Sequence, residues 1–194
     1  MRRLTKVLSL ALATVIAVST FTISTFAASR ADEHKRDLTA DEITAIASIF
    51  DAEYYASAYP DVVDTLGTDD ATTMLTHFLS FGIWEERQPS ASFNVDVYAT
   101  RNVDLQQAYG DDIIAYYVYY AGHVKEQSWR AAATLADAYR NEVTIYSVYD
   151  YTVGQIGPNA GAYAIQTTNY APNLGITGTD ATSNANRAKI LGNY

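Results

Sequence analysis

Residues 50–87, FDAEYYASAYPDVVDTLGTDDATTMLTHFLSFGIWEER, decide the fold, because a looser copy of this stretch follows from residue 93. Conspicuous residues of the first copy recur in the second copy at a fixed offset of 43 positions. An offset of this size is typical of a repeated supersecondary unit. We therefore expect two tandem repeats, at about residues 50–90 and 93–130. The matched pairs are Phe50 and Phe93, Asp51 and Asn94, Tyr55 and Tyr98, Asp61 and Asp104, and Gly67 and Gly110.

Each copy carries the local signals of three short helices. Asp51 and Asn94 precede helical patterns and are favoured N-cap residues, whose side chains accept hydrogen bonds from backbone amides that lack a partner. Pro60 ends the first helix of its copy and can open the next one, which is predicted to end at Gly67. The third helix of the second copy is predicted over residues 113–121, about one turn shorter than its counterpart.

Helical signals also flank the two copies. Thr39 and Glu42 form a capping box, in which each side chain satisfies the backbone amide of the other residue. We expect the helix that follows to end near Ile49. An alanine-rich stretch at residues 131–140 predicts one more helix. The helical module is therefore predicted over residues 38–140.

The chain changes character at residue 143, where the stretch VTIYSVYDYTV begins. Its β-branched and aromatic residues favour a strand, and residues 163–168 are predicted to pair back as a hairpin. The tail over residues 143–194 is expected to be weakly β or disordered. The predicted fold class of the chain is all-α, with two tandem three-helix repeats of about 40 residues and flanking helices, followed by this tail.

The first 27 residues have the pattern of a secretory signal peptide. Three basic residues precede an apolar run that contains LSLALATVIAV, and small residues favour cleavage between Ala27 and Ala28. An uncleaved membrane anchor is the alternative, because the apolar run is nearly long enough to span a bilayer. Residues 28–37 mix charges of both signs and predict a flexible lead-in. We expect a chain that is secreted or held at the cell surface.

The charge and the cysteine count exclude several classes of partner and site. The formal net charge is −9, and removal of the leader leaves 10 basic against 22 acidic residues. A chain this acidic argues against nucleic acid as a partner, and against membrane once the leader is removed, since nucleic acids and anionic lipids both bind through Lys and Arg. The sequence has no Cys, which excludes disulfides, thiolate metal sites and a Cys nucleophile.

The first copy also contains a specific motif. It has F-D-x-x-Y-Y at residues 50–55, P-D at 60–61, G at 67 and H-F-L-x-x-G-I-x-E-x-R-x-P-S at 77–90. This combination resembles a tandem repeat of secreted and cell-surface proteins of Gram-positive gut bacteria. The resemblance implies a small helical module that often accompanies cell-wall enzymes, and it implies no particular activity for this chain.

Two departures from this family pattern affect the closing loop of each copy. Glu86 stands where the family usually has Gly, and the second copy has Gln127 and Ser128 in place of Gly and Arg. We therefore expect the second closing loop to differ in shape from the first.

The candidate reactive groups have simpler structural explanations. His77 lies in the apolar stripe of a helix, and the second copy has Tyr119 there. An exchange between His and Tyr indicates a packed ring with a hydrogen bond, not the base of a catalytic triad. The acid pairs at residues 69–70 and 111–112 are better explained by helix capping than by calcium, which needs six or more oxygen ligands. We expect no metal and no other cofactor.

The 16 Tyr residues exceed what a small core needs. Exposed Tyr offers rigid amphipathic contact area to a sugar or a protein. The favoured explanation is that these rings pack between the repeats with their hydroxyl groups at the edge. The candidate ligand-binding residues are Tyr54, Tyr59, Tyr98, Tyr116, Tyr119 and Trp84.

These observations favour a non-catalytic binding or scaffolding module at the cell envelope, whose partner is a cell-wall glycan or a surface protein. A purely structural spacer is one alternative. The other is a hydrolase of cell-wall polymer, because glycoside hydrolysis uses a pair of carboxyl groups. The acids available for such a pair are Asp51, Glu53, Asp61, Asp64, Glu85 and Glu86.

Overall fold

The structure is a computed structural model that describes residues 30–123, 130 and 133–165. The predicted signal peptide and the tail beyond residue 165 lie outside the described residues.

The described chain is built of short helices, and its β-structure is limited to two isolated bridges. The all-α fold class is thereby confirmed. α5 continues directly into a π-helical turn (Phe78–Gly82), and a 3-10 turn spans Val148–Asp150. The α-helices are α1 (Arg30–His34), α2 (Ala40–Ala47), α3 (Ala52–Ala58), α4 (Pro60–Leu66), α5 (Ala71–His77), α6 (Val95–Arg101), α7 (Val103–Tyr109), α8 (Ile113–His123) and α9 (Leu135–Arg140).

The helices of residues 95–109 match those of residues 52–66 in length and spacing. α3 and α6 have 7 residues each, as have α4 and α7, and the members of each pair begin 43 positions apart. We call residues 50–90 the first half of the module and residues 93–130 the second half.

The third helices do not follow the predicted lengths. α8 has 11 residues and runs through Gly122 to His123, so its predicted end at residue 121 is wrong. A glycine inside a helix costs only about 1 kcal/mol relative to alanine, and this one does not stop the helix. In the first half, a Cβ at Gly82 would lie 2.2 Å from the Tyr55 hydroxyl. Glycine at position 82 therefore lets the Tyr55 hydroxyl lie close to the backbone of the π-helical turn.

The predicted caps are present. Thr39 and Glu42 form the capping box, with backbone-to-side-chain distances of 2.8 and 3.3 Å. Asp51 and Asn94 each accept a hydrogen bond from the backbone amide three residues further on, at 3.0 and 2.9 Å. Pro60 is at the start of α4. The helix starts are therefore set by short-range signals, as the sequence indicates.

A cluster of three aromatic rings lies at the centre of each half. In the first half, Phe50 precedes the cap of α3, and its ring centroid lies 5.3 Å from Tyr55 and 5.2 Å from Phe78. In the second half the corresponding cluster is Phe93, Tyr98 and Tyr120, with centroid distances of 4.3–5.4 Å. Aromatic pairs at these distances contribute about 0.5–1.5 kcal/mol each beyond the area that they bury.

Each half is also closed by an arginine that returns to the first turn of its middle helix. Arg87 contacts both carboxylate oxygens of Asp61 at 2.9 and 3.1 Å. Arg130 contacts both oxygens of Asp104 at 2.7 and 3.0 Å. The alignment that sets Ser128 opposite Arg87 is therefore wrong, because Arg130, 43 positions after Arg87, makes the equivalent contact.

The N-terminal segment is anchored, whereas its composition predicts a flexible lead-in over residues 28–37. Residues 30–34 form α1, and Arg30 makes an ion pair with Asp150 at 2.8 Å. His34 stacks on Tyr149 with a centroid distance of 4.1 Å. The composition did not reveal these anchors because their partners lie more than 100 residues away in the chain.

Residues 145–151 are largely buried, but they do not form the predicted strand. Ile145 makes a single antiparallel bridge to Ile165, and a 3-10 turn follows at residues 148–150. Val148 and Tyr151 are 0 % and 1 % exposed. High β-propensity reflects a side chain that suits a packed surface, and here the surface is provided by helices. α9 also differs, since it begins at Leu135 and not at residue 131.

Gly110 marks where this C-terminal segment crosses the second half. Its φ is 53°, and a Cβ there would lie 2.4 Å from the backbone nitrogen of Val153. Gly67, its counterpart, has a φ of 68° but no atom within 4 Å of such a Cβ. The two glycines share a left-handed φ, and only Gly110 is also in close contact.

This difference gives a matched pair of substitutions. We expect Gly67→Ala to lower the free energy of unfolding by about 1 kcal/mol, the usual cost of a non-glycine residue in this conformation. Gly110→Ala should cost about 3 kcal/mol, because the new Cβ also displaces the backbone of residues 152–153 and because the ψ of Gly110 is −119°, outside the left-handed helical region that Gly67 occupies. Urea unfolding of the two variants measures both values. Equal losses would show that the C-terminal segment does not press on Gly110.

Candidate functional site

Most of the candidate ligand-binding side chains are buried. A side chain this deep cannot contact a ligand in this conformation, so the predicted aromatic binding surface is not formed by these residues. Tyr54 and Tyr119 are half-buried. The buried candidates are Tyr59 (4 % exposed), Tyr98 (0 %), Tyr116 (0 %) and Trp84 (3 %).

The hydroxyl groups of these rings are used inside the module. The Tyr59 hydroxyl accepts a hydrogen bond from the backbone amide of Gln88 at 2.6 Å. Tyr116 donates to the carbonyl of Gly110 at 2.9 Å. Tyr119 accepts from Arg130 at 2.8 Å. Each ring thus combines an apolar body with a satisfied polar tip, which is how Tyr is accommodated in a core. The packing explanation accounts for them.

Burial also makes these phenols poor acids. It raises the pKa of Tyr59 and of Tyr151 to about 12 in each case. Complete burial raises the pKa of Tyr117 well above its usual value. A phenol whose charged form is disfavoured by desolvation keeps its proton near neutral pH. These tyrosines therefore do not provide a base.

His77 is a packed ring, as predicted. Its Nδ1 lies 3.0 Å from the Tyr55 hydroxyl, and its ring centroid is 5.6 Å from Phe81. Burial, and then the positive charge of Arg87, lower the pKa of His77 below the usual value. The neutral imidazole that this favours can accept a hydrogen bond from Tyr55.

Two of the six candidate acids for a catalytic pair, Asp61 and Glu85, bind the same guanidinium group. Arg87 donates to Asp61 at 2.9 Å and to Glu85 at 2.7 Å. The Glu86 carboxylate accepts from the hydroxyl of Ser147, and Asp51 caps α3. Among the residues that the structure describes, no three His, Asp or Glu side chains form a group that could hold a metal ion.

The exposed acids of residues 37–86, which include most of the first half, are a feature that the sequence reasoning missed. Residues 37–86 contain 11 Asp and Glu and no Lys or Arg, so the signal was readable from the sequence. We call the exposed carboxylates of this run the acidic surface. Its members are Asp37, Asp41, Asp51, Glu53, Asp61, Asp64, Asp69, Asp70 and Glu85.

Cations from outside the run reach only part of the acidic surface. Arg87 binds Asp61 and Glu85. Glu53, Asp64 and Asp69 make no ion pair within residues 30–123, 130 and 133–165. Their charge is therefore free to act on a molecule in solution.

Comparisons of the chain with protein-family models, with curated proteins and with solved structures find no match. Within the described part of the chain, no helix combines the length and the apolar character needed to cross a membrane. Function must therefore be inferred from the chemistry of the described surface.

The environment of His77 predicts how stability changes with pH. An unfolded His titrates near 6.5, and the folded pKa is lower, so the unfolded chain binds more protons below that pH. The contribution of His77 to stability is complete above about pH 6.5 and falls as the pH is lowered through the folded pKa. Urea unfolding between pH 8 and 5 should show this decline, and His77→Gln should flatten it.

Direct titration provides the decisive check on this prediction. The ring protons of His77, followed by NMR in the folded chain, should give a pKa below 6.5. A higher value would mean that the folded state prefers the charged ring, and the proposed hydrogen bond from Tyr55 would be incorrect.

Proposed function

We propose that this chain is a non-catalytic, secreted binding or scaffolding module that acts at the cell envelope. Its leader pattern supports export, and its first half carries the motif of a family of cell-surface repeats. The equal lengths of α3 and α6 and of α4 and α7, at a constant offset, support descent of the two halves from one repeated unit.

The acidic surface is the observation that carries the proposal. A surface region of one sign attracts a ligand of the opposite sign and speeds its association. The ligand that suits it is a protein or a glycan with positive charge, such as a basic surface protein or a wall polymer with free amino groups. Within the described residues, only Asp61 and Glu85 of the acidic surface form ion pairs, and the carboxylates of Glu53, Asp64 and Asp69 are among those that no described cation neutralises.

The interior supports a role without catalysis. Tyr59 and Tyr116 form internal hydrogen bonds, and the His77 ring is bonded to Tyr55. Asp61 and Glu85 share Arg87 as a common donor. A general acid or base has to reach a substrate, and these groups are engaged within the module.

The test is binding of purified residues 28–194 to a glycan array and to wall material, and capture of surface proteins. We expect binding that weakens as salt is raised from 50 to 500 mM, since exposed charges are screened over about 10 Å at 0.1 M salt. The double variant Glu53→Gln/Asp64→Asn should bind at least about tenfold more weakly, equivalent to 1.4 kcal/mol.

A matched control removes the same charge from another part of the surface. Glu33→Gln/Glu142→Gln changes two exposed acids outside residues 37–86 and should bind like the unmodified chain. Equal weakening by both double variants would show that binding depends on the net charge of the chain and not on the acidic surface. Turnover of peptidoglycan that disappears with a single Asp or Glu change would replace the proposal with a hydrolase.

A further inference from the structure

Residues 145–151 lie in a seam between the two halves of the module. One wall of the seam is the closing loop of the first half, residues 83–90, and the other wall is α6 of the second half. We call residues 145–151, Ile-Tyr-Ser-Val-Tyr-Asp-Tyr, the seam segment. It is extended on both sides of its single 3-10 turn.

The wall formed by α6 binds the backbone of the seam segment. The amide of Val148 donates to Oδ1 of Asp96 at 2.8 Å, and the amide of Tyr146 donates to the Thr100 hydroxyl at 3.2 Å. Asp96 is only 1 % exposed. A buried carboxylate is costly unless hydrogen bonds compensate for its lost hydration, and the seam segment supplies one of them.

The side chains of the segment are recognised individually. The Tyr149 hydroxyl donates to the carbonyl of Trp84 at 2.8 Å, and the Tyr151 hydroxyl lies 2.8 Å from that of Thr100. The hydroxyl of Ser147 donates to Glu86. Ile145 is fully buried in a small apolar cluster that includes Val97, Leu135 and Ala138.

Residues of the walls depart from the repeat where they meet the seam segment. Asp96 is buried, whereas Glu53, its counterpart 43 positions earlier, is exposed. Glu86 has a φ of 58°, in the left-handed region that favours glycine. A non-glycine residue in this conformation costs about 1 kcal/mol or more. Its carboxylate gains the hydrogen bond from Ser147, which a glycine could not accept through a side chain.

We propose that the seam is a binding groove for an extended peptide and that residues 145–151 occupy it as a built-in ligand. The groove reads the pattern aliphatic-x-Ser-Val-Tyr-x-Tyr, together with the backbone amide of the Val. The partner that fits in trans is a second copy of this chain, because it carries the whole pattern. The hydrogen bonds of the groove involve none of Glu53, Asp64 and Asp69, so the inference does not depend on the function proposed above.

The inference is tested by cutting the chain beside the seam segment and leaving the groove intact. A specific protease site is inserted after Asn141, in an exposed turn, into the chain that begins at residue 28. After cleavage of the folded protein, the two fragments should elute together in size-exclusion chromatography. An excess of fluorescent peptide VTIYSVYDYTV should then displace the C-terminal fragment and bind saturably, as followed by fluorescence anisotropy.

Three controls define the recognition between the groove and the peptide. A peptide with the change Val148→Asp should bind at least about tenfold more weakly, a loss of 1.4 kcal/mol or more. The groove variant Thr100→Val, which loses a hydroxyl but keeps its volume, should also weaken binding of the unmodified peptide. The acidic-surface variant Glu53→Gln/Asp64→Asn should bind the peptide normally, which separates this groove from the proposed cationic-ligand site.

The opposite results would overturn the inference. Failure of the labelled peptide to bind the cut protein, while circular dichroism shows its helices to be intact, would mean that the seam is ordinary core. Loss of helix content on cleavage that no concentration of peptide reverses would lead to the same conclusion. Equal binding of the Val148→Asp peptide would show that the groove has no specificity.

Discussion

Tyr117 is the contact on which the arrangement of the two halves depends. It belongs to α8 of the second half and is completely buried. Its ring lies 4.9 Å from Phe93 of its own half and 5.9 Å from Phe78 of the other. Its hydroxyl donates to the carbonyl of Arg87, in the first closing loop, at 3.2 Å. One side chain thereby contacts both aromatic clusters and the closing loop that forms one wall of the seam.

The sequence predicted those parts of the fold that depend on neighbouring residues. The caps at Thr39, Asp51 and Asn94 are found as expected, because a cap bonds an amide three residues away. What it did not predict depends on distant contacts, such as the docking of α1 on Tyr149 and the burial of Val148 among helices. The position of Arg130 was readable from the sequence, because it follows Arg87 by the same 43 positions as the other matched pairs.

The candidate site shows the same division between local and distant information. Helical periodicity shows that the rings around Tyr116 to Tyr120 point in several directions, but it does not say which directions face another helix. The structure buries Tyr116 and Tyr117 and leaves Tyr119 and Tyr120 half-covered. By contrast, a run of acidic residues that contains no Lys or Arg can be read from the sequence alone. Aromatic residues thus build the interior of the module, and carboxylates define its surface.

The docking of α1 determines how the module responds to mechanical force. The chain before Arg30 can transmit a pull only through the contacts of the first helix, among them the ion pair with Asp150 and the stacking of His34 on Tyr149. Both contacts are made with the C-terminal segment and not with the first half, which follows directly in sequence. Tension on the N-terminus is therefore borne early by Tyr149 and Asp150, which lie more than 100 residues further along the chain.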